Sequence, residues 1–284
     1  MIPAAFEYYR PKDMTGVLSL LGEHGDNARV IAGGHSLVPM MKLRMADVPH
    51  LIDLQGVGGL DDIELSANSI RIGAMVTQHA IIDHNGLASA APILRESALQ
   101  IADPQVRYVG TVGGNVANGD PGNDMPGLMQ CLDATFTVVG LDGERDIPAR
   151  QFYEAAYMTA REDEEVLTSI TMPIPAGGYA YEKQKRKIGD YATAAAAVLL
   201  TKEGNTCKSA SIAMTNLSDI PVYSEEAGAA LVGSSLDDTA IKAAVTAVLG
   251  DIDPSEDNRG PVAFKKHLAG VILRRAIERA WSRA

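Results

Sequence analysis

The apolar positions of this chain change rhythm repeatedly along its first two thirds. Val17, Leu18, Leu20 and Leu21 recur at helical spacing and are followed by Gly22 and Gly25, which predicts a helix over 14–21 ended by those glycines. The β-prone run Arg29-Val30-Ile31-Ala32 predicts a short strand leading straight into Gly33-Gly34. Ser36 then stands where it could cap a helix through Pro39, Met40, Met41 and Lys42. Residues 50–54 read as another strand, and 69–74 alternate like a strand with one buried face. Helices are predicted to start over 77–82 and to run over 90–102, the second with Ile93, Leu94, Leu99 and Ile101 on its apolar side. A further helix carries Pro126, Leu128, Met129, Cys131 and Leu132, with Asp124 in the N-cap position. Strands are predicted over 134–139 and 166–172, and Pro173-Ile174-Pro175-Ala176-Gly177-Gly178 punctuates the chain.

Beyond that punctuation, a strand over 179–183 runs into the basic cluster Lys185-Arg186-Lys187 and a turn at Gly189-Asp190-Tyr191. The alanine-rich stretch 191–200 reads as a packed segment, and 209–215 as a strand. From residue 223 onward the rhythm is helical, over 225–232, 239–249 and 262–281, with a polar loop over 251–260. The expected organisation is a first domain over 1–177, in parts of about 1–55 and 56–177, and a second over 178–284.

Two glycine turns stand out against this pattern. One is Ala32-Gly33-Gly34-His35-Ser36; the other is Thr111-Val112-Gly113-Gly114-Asn115, continuing to Asp124 through Gly119 and Gly122. Glycine permits φ > 0 and close backbone approach, and successive N–H groups in such turns form a concavity suited to phosphate. Strand, glycine turn, helix start is also the layout that offers N–H groups to a phosphate; a plain strand-to-helix turn capped by Ser36 is the alternative. Two such turns far apart in sequence suit one extended ligand with a pyrophosphate in its middle, such as FAD. Gln55-Gly56-Val57-Gly58-Gly59 imitates the start of a Rossmann fingerprint, but the third glycine position falls on Asp61, so a loop is expected there.

Other chemistry is sparse. There is no Walker-type loop, no G-x-S-x-G elbow and no paired histidine ligands. His24, His79, His84 and His267 are scattered, and Cys131 and Cys207 have no metal-ligand spacing, Cys131 reading as a small core residue. A formal net charge of -11 over 284 residues argues against a nucleic-acid backbone as the main partner. The start lacks a signal-peptide pattern and no apolar run approaches the ~20 residues of a bilayer span, so a cytoplasmic protein is expected.

The paired motifs resemble those of the FAD-binding flavoproteins of molybdenum hydroxylases. The likeness covers nearly the whole chain and includes Ile101-Ala102-Asp103-Pro104-Gln105-Val106-Arg107 and Lys185-Arg186-Lys187-Ile188-Gly189-Asp190-Tyr191-Ala192-Thr193-Ala194. Within that family it looks most like the medium subunits of aerobic carbon monoxide dehydrogenases, while other relatives serve xanthine, nicotinate or aromatic substrates. The resemblance implies an α+β fold. A two-part FAD-binding domain of the vanillyl-alcohol-oxidase (PCMH) type would be followed by a smaller α+β domain with an antiparallel sheet and helices. It implies a small subunit with 2Fe-2S clusters and a large molybdopterin subunit as partners, assembled as a dimer of heterotrimers. Substrate would be oxidised at molybdenum, and electrons would cross the iron–sulfur clusters to FAD and leave to a quinone or other acceptor. It leaves open an association with the inner face of the cytoplasmic membrane. Carried over by position, Ala32, Gly33, Gly34, His35 and Ser36, with Leu37 beside them, and Thr111, Gly113, Gly114 and Asn115 would line the pyrophosphate. Ile101, with Ala102, would lie near the adenine, Asp124 at the ribityl or ribose part, Tyr191 over the isoalloxazine and Lys185 near the flavin. No residue in these motifs is an evident catalytic base, and none is expected to hold a metal.

Overall fold

In the computed structural model, which describes residues 1–284, the chain opens with a three-stranded parallel sheet. Its strands β1 (Glu7–Tyr9), β2 (Ala28–Ile31) and β3 (His50–Asp53) lie in the order β1-β3-β2. Parallel neighbours need crossovers, which are supplied by helices α1 (Met14–His24) and α2 (Leu37–Lys42). Asp13 caps α1 by accepting the Gly16 N–H, and Gly25 closes it with φ 49°, a conformation that suits glycine. Gly22, expected to help end the helix, lies within its last turns. Val17, Leu18 and Leu21 bury against Ala28, Ile52 and Leu54, so the helical stripe read from the sequence is the face that meets the sheet.

A second, antiparallel sheet follows. It contains β4 (Ile63–Leu65), β5 (Ser69–Gly73), β6 (Thr135–Gly140) and β7 (Gly143–Pro148). After a hairpin of β8 (Tyr153–Ala155) and β9 (Met158–Thr159), β10 (Val166–Pro173) enters its centre to give the order β4-β5-β10-β6-β7. Between β5 and β6 run six short helices: α3 (Gln78–Asp83), α4 (Asn85–Ala90), α5 (Pro92–Ala98), α6 (Pro104–Val109), α7 (Val112–Ala117) and α8 (Asp124–Cys131). Ile70, Ile72, Phe136, Val138 and Ile170 of the sheet meet Ile81, Leu87, Ile93 and Leu94 of the helices in the largest core.

Three expectations are corrected here. The helix read over 90–102 is not continuous: α4 ends at Ala90 and Pro92 begins α5, where its missing N–H costs nothing. The chain then leaves the helix after Ala98 and passes through Ala102 with φ 42°. Residues 112–117, read as part of a glycine loop, form α7 with Thr111 as its cap. Asp124 is not the cap of α8; Asn123 holds that position, and Asp124 is the first helical residue with its carboxylate turned elsewhere.

The remaining strands, β11 (Gly178–Gln184), β12 (Ala194–Glu203), β13 (Thr206–Thr215) and β14 (Val222–Tyr223), form an antiparallel sheet in that order. The alanine-rich segment is β12, at the sheet's centre. Successive side chains of a strand point to opposite faces: Ala195 and Ala197 join the large core beside α8, while Ala194, Ala196 and Val198 join a second core. Elements pack closely on both faces, which small side chains permit. The second core is completed by helices α9 (Glu225–Leu231), α10 (Asp238–Asp251) and α11 (Val262–Arg283), the last contributing Ala269, Leu273, Ala276 and Ile277. At its end Arg279 and Arg283 donate to Glu96 of α5, tying this helix to the other half of the chain.

Candidate cofactor site

A cleft of about 840 Å³ lies between the parallel sheet, the segment from Ile101 to Asn118, and the turn at Gly189-Asp190-Tyr191. Both glycine turns line it, and they touch. A Cβ at Gly33 would lie 2.4 Å from the Val109 carbonyl oxygen and 2.9 Å from Gly110 Cα. A Cβ at Gly114 would lie 3.7 Å from that of Ala32. The absence of a side chain at Gly33 is therefore what lets β2's exit approach the chain just before α7.

The first turn is built to offer amides. Gly34 has φ 68°, and the N–H groups of Gly33, Gly34, His35 and Ser36 find no acceptor in the protein. A left-handed residue within such a run turns successive N–H groups toward one concavity, the arrangement that receives an anion. Ser36 precedes α2 but its side chain makes no capping bond, contrary to expectation; its backbone is already helical, with φ -103° and ψ -51°. Its hydroxyl makes no hydrogen bond within the protein.

The second turn differs from the expected concavity. Thr111 Oγ1 accepts the Gly114 N–H at 3.0 Å, Gly113 N–H donates to the Ala74 carbonyl at 2.9 Å, and Asn115 N–H donates to the Thr111 carbonyl at 3.1 Å. These amides are consumed by the fold, and neither Gly113 nor Gly114 has positive φ. Gly113 is required by packing, since a Cβ there would sit 2.5 Å from that of Ala74. Toward the cleft this turn presents side-chain donors instead, the Thr111 hydroxyl and the Asn115 amide, whose Oδ1 is held by the Met125 N–H at 3.1 Å. Free amides on one wall and hydroxyl and amide donors on the other fit the oxygens of a diphosphate.

Of the remaining sequence-derived positions, Leu37, Ile101, Ala102, Asp124 and Tyr191 line the cleft and Lys185 does not. Arg107 Nη1 donates to the Ile101 carbonyl at 2.8 Å and fixes that wall. Asp124 is almost fully buried: its carboxylate accepts from Tyr181 Oη at 2.5 Å and from Lys183 Nζ at 2.7 Å. Burial, then the Asp124 charge, pushes the Tyr181 phenol far above its ordinary range, so it stays protonated as the donor. The lysine at the cleft is thus Lys183, whose side chain is only 1% exposed. Lys185 lies just past the end of β11, with Nζ 3.4 Å from the Gln100 carbonyl, and its pKa is lowered by burial and by Lys183. Strand alternation, which puts Lys183 on the face of Tyr181, was the signal in the sequence that could have found it. Tyr157 and Arg161 also line the cleft without any local motif.

Tyr191 stands at the other end, 42% exposed, with its ring against Gly122: a Cβ at Gly122 would lie 2.8 Å from Tyr191 Cδ1. Burial, then Asp120, pushes its phenol up to about 12, so a neutral ring borders the cleft. No three His, Cys, Asp or Glu side chains converge as a metal site, and no helix is long and apolar enough to cross a membrane.

The family profile described as "FAD binding domain in molybdopterin dehydrogenase" matches residues 4–175, and "CO dehydrogenase flavoprotein C-terminal domain" matches residues 179–280. The chain is 53% identical to the carbon monoxide dehydrogenase medium chain of Afipia carboxidovorans, covering 100% of this chain and 99% of that one. It is 42% identical to the medium chain from Hydrogenophaga pseudoflava over 100% of this chain and 99% of that one. Its fold matches the solved structure of reconstituted CO dehydrogenase from Oligotropha carboxidovorans with a TM-score of 0.99, 53% identity and all of both chains covered. Quinoline 2-oxidoreductase from Pseudomonas putida 86 matches with a TM-score of 0.95 at 33% identity, covering 99% of each chain. With both profiles matched and full-length identity of this order, the chain belongs to the FAD-binding flavoprotein family of molybdopterin dehydrogenases.

Proposed function

We propose that this chain is the FAD-carrying, electron-transferring medium subunit of an aerobic carbon monoxide dehydrogenase. The reading is carried by one observation: in a chain 53% identical to such a subunit along its full length, both glycine turns close on a single cleft with unpaired amides on one wall. The free N–H groups of Gly33 to Ser36 and the donors of Thr111 and Asn115 hold the pyrophosphate. Ile101 and Ala102 border the adenine end. Asp124, oriented by Tyr181 and Lys183, and the ring of Tyr191 border the flavin end, and Lys185 adds a positive charge near the flavin from outside the cleft lining. Residues 1–177 form the FAD-binding part and 178–284 supply Lys183 and Tyr191. Bound flavin supplies the two-electron redox chemistry; the protein supplies position, charge and exclusion of water.

The oxidation CO + H2O → CO2 + 2H⁺ + 2e⁻ belongs to a large molybdopterin subunit, and the electrons arrive through a small subunit with 2Fe-2S clusters. This chain has two cysteines, both buried, against the four protein ligands of a 2Fe-2S cluster. The assembly is a cytoplasmic dimer of heterotrimers. A second reading, the flavoprotein subunit of a hydroxylase for an aromatic or N-heterocyclic substrate, is favoured by the match to quinoline 2-oxidoreductase, whose fold is nearly superposable. The test is anaerobic. The purified FAD-loaded chain exposed to carbon monoxide is expected to keep its flavin absorbance, and adding both partner subunits is expected to bleach it. Bleaching of the lone chain would replace the electron-transfer reading with a self-sufficient enzyme. Bleaching of the complex by an N-heterocycle but not by carbon monoxide would establish the second reading.

Tyr191 gives a further test of the site. A ring stacked on the isoalloxazine contributes roughly 0.5–1.5 kcal/mol. Tyr191→Ala is expected to change the visible flavin spectrum and the rate of flavin reduction by dithionite, while far-UV circular dichroism stays the same. An unchanged spectrum and rate would reduce Tyr191 to a structural residue of the turn.

A further inference from the structure

Tyr191 sits on the connection between β11 and β12, over residues 185–193, whose tip at 186–188 is exposed, with Ile188 at 90%, and whose Gly189 has φ 84°, while Ala192 and Thr193 at its end are buried. That tip has little apolar burial to hold it. Lys185 donates to the Gln100 carbonyl and Asn216 to the Ala192 carbonyl, and further polar anchors come from the loop that joins α10 to α11. Arg259 Nη2 lies 3.7 Å from Asp190 Oδ1, and its guanidinium stands 5.7 Å from the centre of the Tyr191 ring. Asp190 Oδ1 in turn accepts the Tyr191 N–H at 2.9 Å. Arg186 binds Asp190 Oδ2 at 2.8 Å and donates to the Asn258 carbonyl at 3.2 Å. Behind these contacts the loop is itself fixed. Lys265, 2% exposed at the start of α11, donates to the Ser255 carbonyl at 2.8 Å and pairs with Asp257 at 3.0 Å. Asp257 accepts the Arg259 N–H at 2.8 Å.

We infer that Lys265, Asp257 and Arg259 act as positioning residues that clamp Asp190 and hold the Tyr191 ring at the flavin end of the cleft. A lysine side chain loses rotamer freedom and water when buried. Here both of its partners lie in the loop that reaches the cofactor turn. Arg259 faces Asp190 and Tyr191 but does not line the cleft. It acts through them. Arg is suited to this, since its planar group presents several donors and packs over a ring face.

The inference rests on the FAD reading above, and the test separates the two. The full chain is prepared as wild type, Arg259→Gln, Arg186→Gln, Tyr191→Ala and Arg259→Gln/Tyr191→Ala. Each is measured for FAD content, visible and fluorescence spectra of the flavin, and the rate of FAD loss on dilution. Arg259→Gln is expected to keep FAD but shift its spectrum in the same direction as Tyr191→Ala. It should also raise the rate of FAD loss by about fivefold, the scale of one such ion pair. The double variant is expected to differ little from Tyr191→Ala alone, and a further variant, Arg259→Lys, to keep part of the wild-type spectrum and FAD retention. Arg186→Gln alters an exposed side chain and cuts the same connection from the other side, so it decides the matter should Arg259→Gln fold poorly. Wild-type spectra and rates of FAD loss in a folded Arg259→Gln or Arg186→Gln chain would overturn the clamp. A wild-type chain unable to hold FAD would overturn the FAD reading, and the clamp with it.

Discussion

Gly33→Val is expected to yield a folded chain that purifies with little or no FAD. A Cβ at this position would lie 2.4 Å from the backbone oxygen of Val109 and 3.0 Å from its carbonyl carbon. Backbone cannot swing aside as the end of a side chain can, so the two turns must separate. Overpacking of this kind costs about 1–3 kcal/mol, which a chain with two large cores survives. The donors on the two walls, however, no longer meet one pyrophosphate, and FAD affinity is expected to fall by at least about tenfold, or 1.4 kcal/mol. Titration of the apo-chain with FAD, followed by flavin fluorescence, measures the loss. Gly58→Val is the control, because nothing lies within 4 Å of its added Cβ. Gly114→Val is expected to be milder than Gly33→Val, since its tightest neighbour is the side chain of Thr111 at 2.9 Å. Stoichiometric FAD in a folded Gly33→Val chain would show that contact between the turns does not shape the site.

The second large effect is expected at the buried pair. Asp124→Asn leaves the Lys183 ammonium, 1% exposed, without its counter-charge. Breaking one side of a buried ion pair costs about 3–5 kcal/mol, because the stranded charge is still out of water. Tyr181 also exchanges a charged acceptor for a neutral one. Urea unfolding of the FAD-free chain measures the loss. Asp124→Asn/Lys183→Met, which removes both charges, is expected to recover most of it, as the interaction is not additive. A single substitution that changes stability by less than about 1 kcal/mol would mean that water or a rearranged partner reaches Lys183. FAD titration of the double variant then reads the pair's part in binding apart from its part in stability.

Much of the fold was legible because it is written in local periodicity. The stripe of Val17, Leu18 and Leu21, the alternation over Ser69–Gly73 and the β-branched run over Thr135–Gly140 each bury the face that their spacing marks. The first glycine turn was legible for a similar reason: a strand, Gly33-Gly34 and a helix start are adjacent in sequence, and backbone geometry there depends mainly on near neighbours. The break at Pro92 was readable from the same local rules, but the apolar spacing of Ile93 to Ile101 outweighed it in the reading over 90–102.

Long-range partners decided the rest. The second glycine turn looks in sequence like a second amide cradle, yet Ala74 and Thr111 take its N–H groups, and Gly113 is there for contact with Ala74. Asp124 reads as a helix cap because caps are local, whereas Tyr181 and Lys183, which hold its carboxylate, come from a strand far along the chain. Lys183 and Lys185 stand two residues apart in sequence; only the end of β11 at Gln184 and the position of Asp124 make Lys183 the one that faces the cleft. Local sequence thus determined the elements and the residue types able to bind a dinucleotide. Which of their donors stay free for it was settled by tertiary structure, because a hydrogen-bonding group is available to a ligand only where the fold has not already satisfied it.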